Sequence, residues 1–203
     1  MRSQHVTAVD DEKLKEYADD IFSTGQHMLS LVEDTLDISA IEAGRKVLDL
    51  QPVEIRRLVV ECVRQIERVA REKVTIEVAD GLPNLLADRR SLKQIAFNLL
   101  SNAVKYTNAN GTIKIAADEI DGAIRLVVED TGIGIPPERL SQVTEPFSQL
   151  HANPALAQDG RGLGLSIVQK LVDAHDGDLA IESEVGAGTC VAITFPRHLT
   201  QAG

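Results

Sequence analysis

Asn98, Asn102 and Lys105 recur at helical spacing in Gln94-Ile-Ala-Phe-Asn98-Leu-Leu-Ser-Asn102-Ala-Val-Lys105-Tyr106-Thr107. Wound as a helix, Gln94, Asn98, Asn102 and Lys105 fall within about 80° of one another. Leu92, Ala96, Leu99, Leu100, Ala103 and Val104 cover the other side. Solvated helix faces usually show Glu and Lys, which are strong helix formers, whereas Asn is a weak one. A stripe with two Asn and a Lys can present two amide oxygens, hard donors suited to Mg²⁺, beside an ammonium suited to phosphate. It also reads as a plain solvated face, and this helix alone does not decide between the two.

Two glycine-rich stretches carry further chemistry. Asp130-Thr-Gly132-Ile-Gly134-Ile-Pro136 ends a strand. Its glycines allow positive φ and let a flat ligand approach the backbone. Asp130 at its mouth can accept a hydrogen bond from an exocyclic amine such as that of adenine. Guanine offers a carbonyl at that edge, and an unpaired buried acceptor costs about 1–3 kcal/mol. Asp159-Gly160-Arg161-Gly162-Leu163-Gly164-Leu165 opens a helix, whose free amides can bind phosphate. Arg161 would reach a terminal phosphate or an acceptor. Taken alone, this stretch fits a plain loop before a helix equally well, since it lacks the strand and later acidic residue of a dinucleotide-binding unit.

The elements that must hold these groups can be read in order. Residues 1–9 carry no pattern. Residues 10–43 read as one long helix, capped by Asp10 or Asp11 and ended at Gly44. Leu14, Tyr17, Ile21, Met28, Leu31 and Ile38 form a heptad-like seam with a second apolar strip beside it. An arc that wide needs a partner helix or a second chain. His27 within it reads as structural: no acidic residue follows it and no Thr-Pro follows a turn later. Pro52 breaks the chain after a β-like run, 47–51. A helix is predicted over 54–71, a strand over 74–78, a turn at Gly81-Leu-Pro83-Asn and a strand over 85–88. Asp88 caps the Asn-bearing helix. Asn108-Ala-Asn-Gly111 reads as a hairpin-type turn. Strands 112–117 and 124–129 pair around Asp121-Gly122, and residues 130–162 are loop-rich. A helix spans 163–175, and a last hairpin joins 179–182 to 190–195. The expected fold is α+β: a two-layer α/β sandwich, one mixed sheet with helices on one face, preceded by one long helix.

Composition sets outer bounds. The formal net charge is −10 over 203 residues, which argues against general nucleic-acid binding. Cys62 and Cys190 lie far apart in apolar patterns and read as small core residues in a reducing compartment. No signal-peptide or membrane-helix pattern is present, so a cytoplasmic location is expected.

The joint order is Asn-x-x-x-Asn, Asp-x-Gly-x-Gly, Gly-x-Gly-Leu-Gly, then Gly-x-Gly-Thr. Over about residues 50–196 it resembles the ATP-binding domain of sensor histidine kinases, in the superfamily shared with gyrase B, MutL and the large ATP-dependent chaperones. Tyr17-Ala-Asp-Asp-Ile, Gly25-Gln-His-Met-Leu and Asp37-Ile-Ser-Ala-Ile-Glu-Ala-Gly44 are similar to the second helix of the kinases' dimerisation and phosphotransfer domain. The resemblance implies a Bergerat-type ATP-binding fold over 47–203 and a partial phosphotransfer helix over 10–46. It implies ATP and Mg²⁺ as ligands. Asp130 would hold the adenine amine, with Thr189 supporting it through water. Asn98 and Asn102 would bind Mg²⁺ and the phosphate region. Lys105 would neutralise phosphate charge, and Tyr106 would line the site. Gly132, Gly134, Ile135, Leu163 and Leu165 would border the nucleotide. Gly160, Gly162 and Gly164 would shape the phosphate turn, with Arg161 acting catalytically. Residues 136–161 would be a mobile lid anchored by Glu145-Pro-Phe147-Ser-Gln.

Hydrolytic relatives resemble this pattern but carry Glu where this chain has Asn98, and an amide cannot serve as a general base. The expected activity is therefore transfer of the ATP γ-phosphoryl group to a histidine, relayed to a response regulator, with slow hydrolysis. The family's acceptor motif, a His followed by an acidic residue and later Thr-Pro, is matched by none of His5, His27, His151, His175 or His198. The acceptor helix is expected to be missing by truncation, and the full-length protein to be a homodimer. The lid segment 151–159 is neutral to acidic where relatives often have basic residues. Two alternatives stand: a catalytically silent nucleotide-binding module that contacts response regulators, and a dimeric ATPase clamp.

Overall fold

The computed structural model describes residues 47–66, 70, 73–146 and 163–201, with isolated positions at 13, 17, 18, 21 and 25. Most of the predicted helix 10–43, His27, His151, the anchor residue Phe147 and the turn residues Gly160, Arg161 and Gly162 lie outside the described residues. Of the predicted seam, Tyr17 and Ile21 are helical and exposed.

Strand β1 (Leu50–Val53) leads into helix α1 (Ile55–Gln65). Ile55, Leu58, Val59, Cys62 and Val63 of α1 are buried at helical spacing, giving one apolar face. Strands β2 (Val74–Val78) and β3 (Asn84–Asp88) precede helix α2 (Arg89–Tyr106). Asp88 caps α2, its Oδ1 accepting from Ser91 N at 2.8 Å, which satisfies one of the orphan donors of the first turn. Its Oδ2 accepts from Asp49 N at 3.1 Å and so ties β1 to the same point. Strands β4 (Ile113–Ile120) and β5 (Ala123–Asp130) follow, then the helical turn α3 (Pro137–Leu140) and helix α4 (Gly164–Asp173). Strands β6 (Asp178–Glu184) and β7 (Gly188–Phe195), a 3₁₀ turn (Arg197–Leu199) and β8 (Thr200–Gln201) complete the described chain.

The main sheet has the order β2-β4-β5-β7-β6. It is mixed because β2 and β4 run parallel while the other pairs are antiparallel. One face buries Ile113, Ile115, Leu126, Val128, Ile193 and Phe195 beneath α1, α2 and α4. The other face carries paired charges at register positions, Lys114 with Glu129 and Arg125 with Asp118. That alternation is the period-two signature of a sheet with one buried face.

Five readings need correction. A second, three-stranded sheet, β1-β3-β8, is present. Pro52 does not end a strand but sits within β1, opposite Leu86. It is tolerated because β1 is an edge strand, where a missing N–H breaks no ladder bond. The turn 108–111 closes through Gly111 N to Asn108 O at 2.9 Å, and it joins a helix to a strand instead of two strands. Cys190 is only half-buried, at a register position between Glu129 and Glu182, whereas Cys62 is fully buried; both thiols are free. Helix α1 ends at Gln65, earlier than its predicted end.

His175 links the two helices that flank the site. It is 2% exposed. Its Nε2 accepts from the Asp88 backbone N–H at 3.2 Å, and its Nδ1 lies 2.7 Å from the Leu171 carbonyl. Asp88 N–H can only donate, so the hydrogen sits on Nδ1 and points to Leu171. One buried ring thus joins the start of α2 to the end of α4, with Phe195 packed edge-on against it. Replacing His175 with Ala should lower the unfolding free energy by about 3 kcal/mol, from two buried polar groups left unmatched and a cavity. Urea denaturation followed by circular dichroism measures this; a loss below about 0.5 kcal/mol would contradict the linking role.

Candidate functional site

A cleft opens between α2, the end of β5, the first turn of α4 and β7. It encloses about 550 Å³ of unfilled space, its open mouth included. Leu99, Ala103, Val128, Ile133, Ile135, Leu165 and Val191 make its apolar walls, and Asn102, Tyr106, Asp130 and Thr189 bring polar atoms. A mostly apolar cleft with a few converging polar groups is the usual form of a small-molecule site.

Asp130 and Thr189, which both line the cleft, are direct partners across β5 and β7. Oδ1 of Asp130 accepts from Gly132 N at 2.8 Å. Burial raises the carboxyl above its ordinary range, while hydrogen bonds from the Gly132 and Thr189 backbone N–H groups pull it part of the way back. Burial also raises the Tyr106 phenol. The loop after β5 is pinned by Ile133 N to Tyr106 O at 3.1 Å, Gly186 N to Ile133 O at 2.8 Å, and Ile135 N to Ser183 Oγ at 2.8 Å.

Gly134 and Gly188 also meet a demand of packing. Both have positive φ, 69° and 121°. A Cβ on Gly134 would lie 1.9 Å from Glu184 O, and one on Gly188 would lie 1.9 Å from Asp130 O. The crowding atoms are this chain's own backbone, so these glycines let strand ends close on one another and thereby seal the cleft.

Where α2 meets α4, Asn98 Nδ2 lies 3.5 Å from the Gly164 carbonyl. A Cβ on Gly164 would be 3.6 Å from Asn102 Nδ2. Both amides therefore meet the first turn of α4. The α2 stripe is half-buried at Gln94, Asn98, Asn102 and Lys105, and Leu92, Ala96, Leu99, Leu100 and Ala103 are buried as expected. Lys105 Nζ lies 5.2 Å from the centre of the Tyr106 ring.

Of the predicted site residues, Asn102, Tyr106, Asp130, Gly134, Ile135, Leu165 and Thr189 line the cleft. Asn98, Gly132 and Gly164 adjoin it through the contacts above. Leu163 is instead 3% exposed and belongs to the core, its carbonyl accepting from Ser166 Oγ at 2.8 Å. Of the expected lid, the described part holds α3 and a buried Val143. Sequence reasoning missed Ser183 and the apolar walls other than Ile135 and Leu165, namely Leu99, Ala103, Val128, Ile133 and Val191. The alternation of β5 and β7 carried the signal for the walls. For Ser183 the signal was a hydroxyl ending the inward series Leu179, Ile181, Ser183 on β6.

Comparison with known proteins agrees with this geometry. Residues 87–199 match the family described as histidine kinase-, DNA gyrase B- and HSP90-like ATPase. An uncharacterized sensor-like histidine kinase of Rhizobium meliloti is 35% identical over 205 residues, spanning 100% of this chain and 39% of its own. Histidine protein kinase DivJ of Caulobacter vibrioides is 39% identical over 189 residues, spanning 91% of this chain and 31% of its own. The crystal structure of full-length ShkA in complex with AMPPNP superposes with a TM-score of 0.80 at 34% identity, over 97% of this chain and 41% of that one. The mycobacterial sensor histidine kinase MprB gives 0.62 at 28% identity, over 72% of this chain and 97% of that one. The chain belongs to the histidine kinase-, gyrase B- and HSP90-like ATPase family, and its relatives over nearly its whole length are histidine kinases. It spans about two-fifths or less of the curated relatives named here.

The raised Asp130 carboxyl sets a sign for pH dependence. The folded state holds that proton more tightly than the unfolded chain does. Its contribution to stability is therefore full below the ordinary carboxylate range and is lost as pH rises through the raised value. Asp130→Asn should remove this decline, so the variant gains stability relative to wild type as pH rises from acid toward neutral. Urea titrations of both proteins across that range measure it; parallel curves would contradict the assignment.

Proposed function

We propose that this chain is the ATP-binding catalytic portion of a sensor histidine kinase in a two-component system. It would transfer the ATP γ-phosphoryl group to a histidine on a dimerisation and phosphotransfer helix, in the same chain or its partner, for relay to a response-regulator receiver domain. The observation that carries this reading is the pairing of Asn98 and Asn102 with the first turn of α4, beside a cleft in which Asp130 is the one carboxylate among the described lining residues.

Each residue has a physical task in it. Asp130 is ready to accept the adenine amine, since Gly132 N already orients its carboxylate. The apolar walls would take the purine faces. Asn98 and Asn102 supply amide oxygens at the phosphate end, and Lys105 adds positive charge beside them. Arg161, with Gly160 and Gly162, would approach the terminal phosphate ahead of α4. Among the described residues no cluster of three His, Cys, Asp or Glu side chains could hold a metal. A cation here would rely on the Asn98 and Asn102 amides and on the nucleotide's own oxygens. These are the hard oxygen donors that Mg²⁺ prefers, and the residues present fit it. Bound Mg²⁺ would supply neutralisation of phosphate charge.

An amide at position 98 cannot take a proton from water. That favours an incoming protein nucleophile over hydrolysis, with the chain contributing position and charge. It also weighs against an ATPase clamp. The intact polar set weighs against a silent module. No helix among the described residues is long and apolar enough to cross a membrane.

The test supplies the chain with ATP-Mg²⁺ and a dimerisation-domain fragment bearing an acceptor histidine. Acid-labile label on the fragment is the expected result, with slow phosphate release by the chain alone. Asp130→Asn should weaken ATP binding roughly tenfold or more, the loss of at least one charge-assisted hydrogen bond. Tight ATP binding without label would favour the silent module, and fast steady-state phosphate release would favour the clamp.

A further inference from the structure

Ser183 lies beside the cleft, bonded to its lining residues Ile135 and Thr189, where an apolar residue would continue the inner face of β6. Its Oγ lies 2.8 Å from Ile135 N, 2.8 Å from Gly188 O and 2.9 Å from Thr189 Oγ1. A serine hydroxyl has one proton and two lone pairs. Ile135 N–H can only donate, so it occupies one lone pair. The Gly188 carbonyl can only accept, so it receives the proton. What remains for Thr189 is the second lone pair, and Thr189 must therefore donate.

This fixes the polarity of a group that lines the cleft. Thr189 lines the same cleft as Asp130, its register partner. With its proton drawn to Ser183, only its lone pairs are left for a ligand. An ionised Asp130 likewise has nothing to donate. The Asp130–Thr189 pair becomes a surface of acceptors.

We propose that Ser183 is a specificity-determining positioning residue, which holds the Thr189 hydroxyl as an acceptor so that the cleft takes an amino-purine and rejects a purine with a carbonyl at the same edge. This rests on the reading of the cleft as an adenine-nucleotide site. Asp130 alone would discriminate less, because a free Thr189 hydroxyl can rotate and donate to a base carbonyl. Ser183 closes that route. It touches no ligand in this arrangement and acts only through Thr189.

The test compares ATP with inosine triphosphate, which replaces the amine by a carbonyl, carries a hydrogen on N1 and keeps the ribose and phosphates. Dissociation constants for both are measured by calorimetry on the full chain as wild type, Ser183→Ala and Ser183→Thr. The expected result is an ATP-over-inosine preference narrowed roughly tenfold in Ser183→Ala, the equivalent of one neutral hydrogen bond. Ser183→Thr keeps the hydroxyl and should keep the wild-type ratio. Ser183→Cys, a feeble donor and acceptor, is the second variant should alanine unfold the protein, and its ratio should move the same way. A merely structural serine would weaken both nucleotides alike and leave the ratio unmoved, which overturns the proposal alone. Wild-type protein that binds neither nucleotide overturns the adenine reading and the proposal with it.

Discussion

The site depends on backbone pressed against backbone. The loop after β5 and the β6–β7 hairpin approach so closely that Gly134 and Gly188 leave no room for a side-chain carbon. Only such contact lets Gly186 N reach Ile133 O and Ile135 N reach Ser183 Oγ. These bonds fix the position of the strand end that carries Asp130. A carboxylate half-withdrawn from water stays useful as an acceptor only if it is held by donors, and here backbone amides from both sides hold it.

The phosphate end follows from a second constraint, the packing of α2 on α4. Each helix has an apolar face that must be covered, and both bury that face against the main sheet. His175 and Asp88 set their relative position, one ring reaching from the end of α4 to the start of α2. The consequence lies a helix length away, where Asn98 and Asn102 meet Gly164. The protein thus holds its polar groups on helices and strand ends. Such an arrangement suits the proposed phosphoryl transfer, in which position and charge would count for more than covalent work by the protein.

Much of this was legible in the sequence because it is local. The types and spacing on α2 gave its two arcs, and the buried set from Leu92 to Ala103 is the one its periodicity predicts. The Asp88 cap and the β4–β5 and β6–β7 hairpins were readable for the same reason: each depends on residues a few positions apart. Errors arose where a residue's meaning depends on its neighbour in space. Pro52 breaks a central strand but not an edge one, and the edge is set by β3. Cys190 looks like core until the sheet's outer face is known.

The sequence by itself determined which chemical groups are present, a pair of amides one turn apart, a carboxylate before glycines and a glycine turn before a helix, because side-chain type and helical period are properties of the chain alone. Tertiary structure decided how they act together. Asp130 faces Thr189 only through the β5–β7 register, and Gly134 needs its freedom because of Glu184, far along the chain. The proton direction at Thr189 is set by Ser183, Ile135 and Gly188 jointly. Hydrogen-bond polarity is a property of a closed network, and such a network exists only once distant segments have been brought within about 3 Å of one another.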